Sequence, residues 1–193
     1  GRFTSSLTIV YTTYFGNTQS VFPTTRDIGK DITVDGSGNA IVVGRTDCSN
    51  LPFNNSTGNP NANTFFQTNL KGFRDGFILR YSPAGVKQFA SYFGGNGIDE
   101  ISKVTFNSAK NEIYFGGQAS DSVGFPYVNL LGAFNKKAKA TNGVAFIASI
   151  DGGLTKQWCS NYGNATSKTY SVTGLTTDNS GLVYLSGYTN SGT

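Results

Sequence analysis

The sequence predicts an all-β fold assembled from four-stranded antiparallel units in tandem. Three observations predict it. A segment in which Asp or Asn precedes a Gly by nine residues occurs three times, starting at Asp35, Asn107 and Asp178, with spacings of 72 and 71 residues. Short runs rich in Val, Ile, Phe and Tyr are separated by Gly, Asn, Asp and Ser, the punctuation of strands and turns. No stretch of twelve residues holds a helical period, so little or no helix is expected.

Each element follows from the repeat. Strand one is expected at Ile32–Asp35, Val104–Asn107 and Leu175–Asp178. Strand two is expected at Ala40–Gly44, Glu112–Gly116 and Leu182–Gly187, the segments aligning without gaps. Strand three is expected at Phe77–Tyr81 and Ala145–Ile150. Strand four is expected at Lys87–Phe93 and Lys156–Tyr162, foreshadowed by a single leading strand within Leu7–Phe15. Asp35-Gly-Ser-Gly-Asn39 and Ser82-Pro-Ala-Gly85 read as hairpin turns in which Gly supplies positive φ. Further markers recur in the same order. An aromatic precedes Gly at Phe15-Gly16, Phe93-Gly94 and Tyr162-Gly163, and Leu51-Pro52-Phe53 is echoed by Phe125-Pro126-Tyr127.

Tandem units of four short antiparallel strands are the pattern of β-propeller blades. Blades are buried on both faces, which accounts for continuously apolar runs such as Ile41-Val42-Val43 and Phe77-Ile78-Leu79. A two-sheet β-sandwich, with cleaner alternation, is the alternative. The whole chain, residues 1–193, reads as part of one propeller domain of about 2.75 blades, with units at about 17–94, 95–163 and 164–193. Eleven strands do not close a ring, so the chain reads as a fragment of a larger propeller or as one that pairs with other copies. The longest insertions, Asp47–Gly72 and Ala119–Thr141, fall between strands two and three, where repeat proteins place binding surfaces.

Composition narrows the function. Charged residues make up 13% of the 193, against 37% hydrophobic and 13% aromatic, so the polar surface is built from hydroxyls and amides as in extracellular β-proteins. The net charge of +4 is scattered, its one tight cluster being Lys136, Lys137 and Lys139, which does not make a nucleic-acid stripe. There is no His, which removes a Ser-His-Asp triad and the commonest zinc ligand. No apolar run is long enough to span a membrane as a helix. Cys48 and Cys159 are not spaced as a metal or redox motif, and either pair across repeats or lie as buried thiols.

Tyr92-Phe-Gly-Gly95, the run from Ile32 to Gly44, Phe125-Pro126 and Asp75-Gly-Phe-Ile-Leu79 together resemble the bacterial β-propeller repeat called SBBP. The resemblance covers nearly the whole chain. It departs from the pattern at Asn107 in place of the turn Asp, at an insertion near Gln19–Thr24, and at Asn161-Tyr162-Gly163. It implies a large secreted or surface-anchored bacterial protein of the Bacteroidetes kind, with type 9 secretion and adhesion as its setting. It implies no catalytic residues, so none are assigned.

The candidate site residues are each open to a plain structural reading. Phe53 and Tyr127 follow Pro in the insertions and would either stack on sugar rings or anchor their loops. Asn54, Asn55 and Asn164 begin N-x-Ser/Thr sequons, and Ser122 lies in a motif resembling an O-glycosylation site. Asp35, Asn39, Asp178 and Asn179 sit in oxygen-rich turns that suit calcium weakly, since a dense Asp series is missing, and suit Asx turns better. Otherwise no cofactor is expected. Asp99-Glu100 is the one adjacent acidic pair; side chains of strand neighbours point to opposite faces, so acid/base work is not expected. Asp99 instead reads as fixing a loop between blades, and Trp158 as a core aromatic equivalent to Phe89 and Tyr11. The expected function is therefore a non-catalytic, secreted or outer-surface propeller module. It would bind surface proteins, secretion-system proteins or glycans, besides the remaining blades of its own chain. The alternatives are a structural spacer and an accessory domain of a secreted hydrolase.

Overall fold

A computed structural model describes residues 1–16, 26–52, 67–120, 123–127, 143–162 and 170–190, and among these no residue is helical. The strands are β1 (Arg2–Phe3), β2 (Ile9–Tyr11), β3 (Asp27–Val34), β4 (Ala40–Thr46), β5 (Asp75–Tyr81), β6 (Lys87–Phe93), β7 (Asp99–Asn107), β8 (Glu112–Ala119), β9 (Val144–Asp151), β10 (Lys156–Tyr162), β11 (Tyr170–Thr177) and β12 (Val183–Thr189). They form two four-stranded antiparallel sheets in chain order, β3-β4-β5-β6 and β7-β8-β9-β10, flanked by the two-stranded hairpins β1–β2 and β11–β12. The fold is the expected all-β arrangement of propeller-type blades. The leading segment differs from expectation: it is a hairpin of two strands rather than one, so twelve strands lie among the described residues.

Successive sheets approach one another through the first strand of the later sheet. β7 lies against β3, β4 and β5, and β11 repeats the step against β7, β8 and β9. A step that recurs in one direction gives successive layers, whereas a sandwich stops at two.

The apolar pattern explains this stacking. β5 and β9 are buried on both faces, as the continuous runs required. Between the two sheets Phe93, Phe115, Phe125 and Phe146 pack as one aromatic cluster. Phe93 meets Phe115 edge-on at 4.9 Å and stacks on Phe146 at 5.5 Å, geometries that suit the ring quadrupole. Phe125 comes from the second insertion, 5.0 Å from Phe146, and so pins that insertion into the core. A second cluster, holding Leu51, Phe77, Leu79, Tyr81 and Tyr92, occupies the opposite face of the first sheet. Cys48 and Cys159 are free and buried, one in each cluster.

The repeat is exact in the backbone at points where the sequence hides it. Strand one carries a bulge at Gly29/Asp31, Ile101/Lys103 and Val172/Gly174, the same place each time. A Cβ at Gly44 would strike the Ile28 carbonyl oxygen; one at Gly117 would strike that of Glu100, and one at Gly187 that of Ser171. The structural equivalent of Gly44 is therefore Gly117 and not Gly116. The gap-free alignment is off by one in the second repeat. The cause is the turn after Asn107, which holds one extra residue and turns at Asn111 (φ 53°), where the other two use Gly38 and Gly181. Adjacent glycines at 116 and 117 mask the shift. Trp158 also departs from expectation. It is half-buried, 6.0 Å from Tyr114, whereas its equivalent Phe89 is fully buried between the two sheets.

Candidate functional site

The hairpin turns show what the oxygen-rich residues do. Thr4, Asp35, Ser82, Asp151 and Asp178 each accept, through a side-chain oxygen, the amide four residues ahead, at 2.9–3.1 Å. Asp35 also receives the Asn39 side-chain amide at 2.8 Å, and Asp178 the Tyr184 hydroxyl at 3.1 Å. The hydrogen bond from the Ser180 hydroxyl is the largest influence holding the Asp178 carboxyl below its ordinary pKa. These carboxylates serve their own turns. Among the described residues no group of three or more His, Cys, Asp or Glu is placed to hold a metal ion.

The acidic pair splits as strand geometry requires. Glu100 faces the first sheet and pairs with Lys30 at 3.0 Å and Arg45 at 2.8 Å, bridging the sheets. Asp99 is buried on the other side and accepts the amides of Gly95 at 2.7 Å and Ser120 at 3.2 Å. It fixes the connector between the two sheets, as the sequence suggested.

That connector is the floor of the candidate site. Residues 94–98 run between the ends of the two insertions. Phe73 donates to the Gly97 carbonyl at 3.1 Å, and Asn96 to the Val123 carbonyl at 2.9 Å. Gln67 closes the first insertion. Its side-chain amide donates to Asp75 at 2.7 Å and to the Asn69 carbonyl at 3.0 Å, and its amide oxygen accepts from Gly94 at 3.3 Å. Asp75 is fully buried; its Oδ2 also accepts the Lys71 amide at 3.0 Å, while Oδ1 has no hydrogen-bond partner. Burial raises its pKa.

Above this floor lies an open cleft of about 490 Å³, lined by Gln67, Asn69, Lys71, Gly124, Pro126 and Lys156. Lys71 reaches across it to the Gly124 carbonyl at 3.0 Å and so ties one insertion to the other. Burial lowers the pKa of Lys156, and the Lys71 charge acts in the same direction. The cleft thus offers two ammonium groups, side-chain amides and a proline face. It suits carboxylates and hydroxyl-rich ligands.

Of the residues singled out from sequence, Tyr127 lies beside this cleft. It is half-buried, its ring 5.0 Å from Phe125, and the Asn161 side chain donates to its hydroxyl. In the first sheet Tyr92, the strand equivalent of Asn161, does the matching work. Its hydroxyl donates to the Cys48 carbonyl at 2.5 Å and accepts the Leu51 amide at 3.3 Å. Phe53, Asn54, Asn55, Ser122 and Asn164 lie outside the described residues. Sequence reading missed Gln67, Asp75, Lys71 and Lys156. Asp75 stood within a quoted motif, yet nothing in that motif marked it as buried.

Comparison with known families matches residues 10–52 to the SBBP repeat, described as a beta-propeller repeat. The matched segment begins in β2 and ends just beyond β4, so it straddles the junction between the leading hairpin and the first sheet. A search of curated proteins finds no match to the chain.

Proposed function

We propose, from the premise that this chain carries the SBBP beta-propeller repeat, that it is a non-catalytic module of a secreted or cell-surface protein. It binds another protein or a glycan through the cleft between its two insertions. The observation that carries the reading is the meeting of the two insertions at one polar cleft with Lys71 and Lys156 in its wall. The insertions are the parts of each unit least constrained by sheet pairing, and a rigid scaffold presenting variable loops is a common way to build a binding surface. The low charge and the hydroxyl- and amide-rich composition support an extracellular setting. An adhesive or assembly role in the Bacteroidetes manner follows from the resemblance alone.

The test is a glycan array, together with capture of cell-surface proteins, using the wild-type chain and the Lys71→Ala/Lys156→Ala double variant. The reading expects a ligand whose binding drops at least tenfold in the double variant. A ligand bound equally by both would place the site elsewhere. Silence across broad panels would leave the spacer reading.

A further inference from the structure

The connector between the two four-stranded sheets carries an exposed apolar patch. Three stretches of backbone lie side by side there. The Phe73 amide donates to the Gly97 carbonyl at 3.1 Å, and Arg74 bridges Ile98 in parallel. On the other flank the Asn96 amide donates to the Val123 carbonyl at 2.9 Å, and the Ser120 amide to the Ile98 carbonyl at 3.1 Å. A Cβ at Gly72 would strike the Gly97 carbonyl oxygen, and one at Gly95 would strike that of Val123. Phe73, Ile98 and Val123 therefore stand on adjoining backbone, and they are 85%, 49% and 60% exposed. Between residues 35 and 161 the one other large apolar side chain exposed among the described residues is Val86. Scattered single apolar residues at a surface need no account, but three on adjoining backbone do.

The patch adjoins the ligand cleft. Phe73 is two residues from Lys71, and Val123 precedes Gly124, whose carbonyl Lys71 reaches. The described residues lining the cleft include Lys71 and Lys156 and no carboxylate. Arg74, beside Phe73, is instead paired with Asp47 at 2.6 Å. One continuous surface thus sets apolar area next to two ammonium groups.

We propose that the partner taken by this cleft is an extended acidic segment of another protein. Its apolar side chains rest on Phe73, Ile98 and Val123, and its carboxylates meet Lys71 and Lys156. The inference rests on the cleft reading above and narrows the partner from protein or glycan to protein. The patch decides the choice. The side chains of Ile98 and Val123 form no hydrogen bonds, so hydroxyls laid over them would lose water and gain no partner. An apolar side chain gains from the same contact. Carboxylates fit because an ammonium has three donors, and the Gly124 carbonyl takes one of those on Lys71. An apolar centre with an aromatic anchor and a charged rim is the usual anatomy of a protein interface.

The test pans a random peptide display library against the whole chain. In parallel it titrates polygalacturonate, an acidic glycan with no apolar side chain. Enriched peptides are expected to combine Asp or Glu with Leu, Ile, Val or Phe. Their affinity should fall about tenfold in Phe73→Ser and about tenfold in Lys71→Ala/Lys156→Ala, as for anchors of an interface. Added salt should weaken binding to the wild type and have little effect on what the lysine variant retains. The Phe73 side chain is exposed, so Phe73→Ser should leave the circular-dichroism spectrum unchanged. Peptides that respond to one of the two variants alone would overturn the proposal. Response to the lysines alone leaves the cleft reading in place, and response to Phe73 alone moves the site off the cleft. Polygalacturonate binding that depends on the lysines, with no peptide enriched, would also overturn it and make the ligand a glycan. Peptides indifferent to both variants, or no binding of either probe, would overturn this proposal and the cleft reading together.

Discussion

The inner face between the two whole sheets and the outer face of the first sheet carry the same repeat, yet they lie in opposite environments. Val104 of β7 is 5% exposed; its equivalent in β3, Ile32, is 57% exposed. Ile101 is buried, and at the equivalent Gly29 an added Cβ would meet nothing within 4 Å. Apolar residues do not choose burial. The neighbouring sheet confers it, and a repeat gains its hydrophobic stabilisation only when the next repeat is present. Among the described residues burial is deepest where Phe93, Phe115, Phe125 and Phe146 meet.

The largest test of that contrast is a pair of truncations. Phe115→Ala empties the centre of the aromatic cluster and should cost about 3–5 kcal/mol in urea denaturation. Tyr184→Ala removes a side chain of similar size from an open face and should cost less than about 1 kcal/mol. Equal losses would mean that the two regions are energetically alike and the contrast in burial is irrelevant.

A second pair sharpens the contrast at one backbone position. Leu7 and Leu154 both adopt the left-handed conformation, with φ of 62° and 69°, where Gly85 does so without strain. The conformation costs an L-residue about 1–2 kcal/mol. Leu154 offsets that by burial in the inter-sheet cluster. Leu154→Gly should thus lose about 2 kcal/mol net, the burial term outweighing the relief of strain. Leu7→Gly, whose side chain is 81% exposed, should be neutral or gain a few tenths of a kcal/mol. Thermal midpoints moving the same way in both variants would count against it.

Much of this was legible in the sequence, for reasons that differ by element. The turns were legible because Asp35 and Asp178 act through their own backbone, a local effect. Strands two to four were legible because β-branched and aromatic runs mark them. Strand one was read short: β3 begins at Asp27, five residues before Ile32, since Gly29, Lys30 and Asp31 form a bulge that breaks the apolar pattern. The leading hairpin was undercounted because β1 is only Arg2–Phe3. The cleft was legible only as far as its two insertions and Asp99. Its floor also depends on Gln67 and Asp75, which share no periodicity and no repeat marker that shows them buried.

The off-by-one in the second repeat yields a test of intermediate size. Gly117→Ala drives a Cβ into the Glu100 carbonyl, and strand one must move, at a cost of about 2 kcal/mol. Gly29→Ala, in open space at the end of the stack, should fall within about 0.5 kcal/mol of wild type. If Gly117→Ala were as mild as Gly29→Ala, the equivalence of Gly44, Gly117 and Gly187 would be wrong.

The smallest effect expected comes from Asp75, buried where the connector binds the two sheets. Burial raises its pKa, so the folded chain holds the proton more tightly than the unfolded chain. The native state then binds more protons, and this group's contribution to stability falls as pH rises from the ordinary Asp value near 3.9 toward the folded value. Above the folded value the contribution levels off. The backbone amides of Lys71 and Gly72 and the Gln67 side chain oppose the shift, and Lys71 does so by charge as well; Asp99 is the other carboxylate against Gly94. Asp75→Asn keeps an acceptor for Gln67 and Lys71 and removes the unpartnered anionic oxygen. At pH 7 it should raise stability by about 1 kcal/mol, the lower end of what an unsatisfied buried polar group costs. The difference between variant and wild type should shrink as pH is lowered through the carboxylate range. Because every other acid is common to both chains, that difference isolates Asp75. A difference that widened on acidification would mean the folded chain holds Asp75 ionised, with its charge stabilised by Gln67 and Lys71.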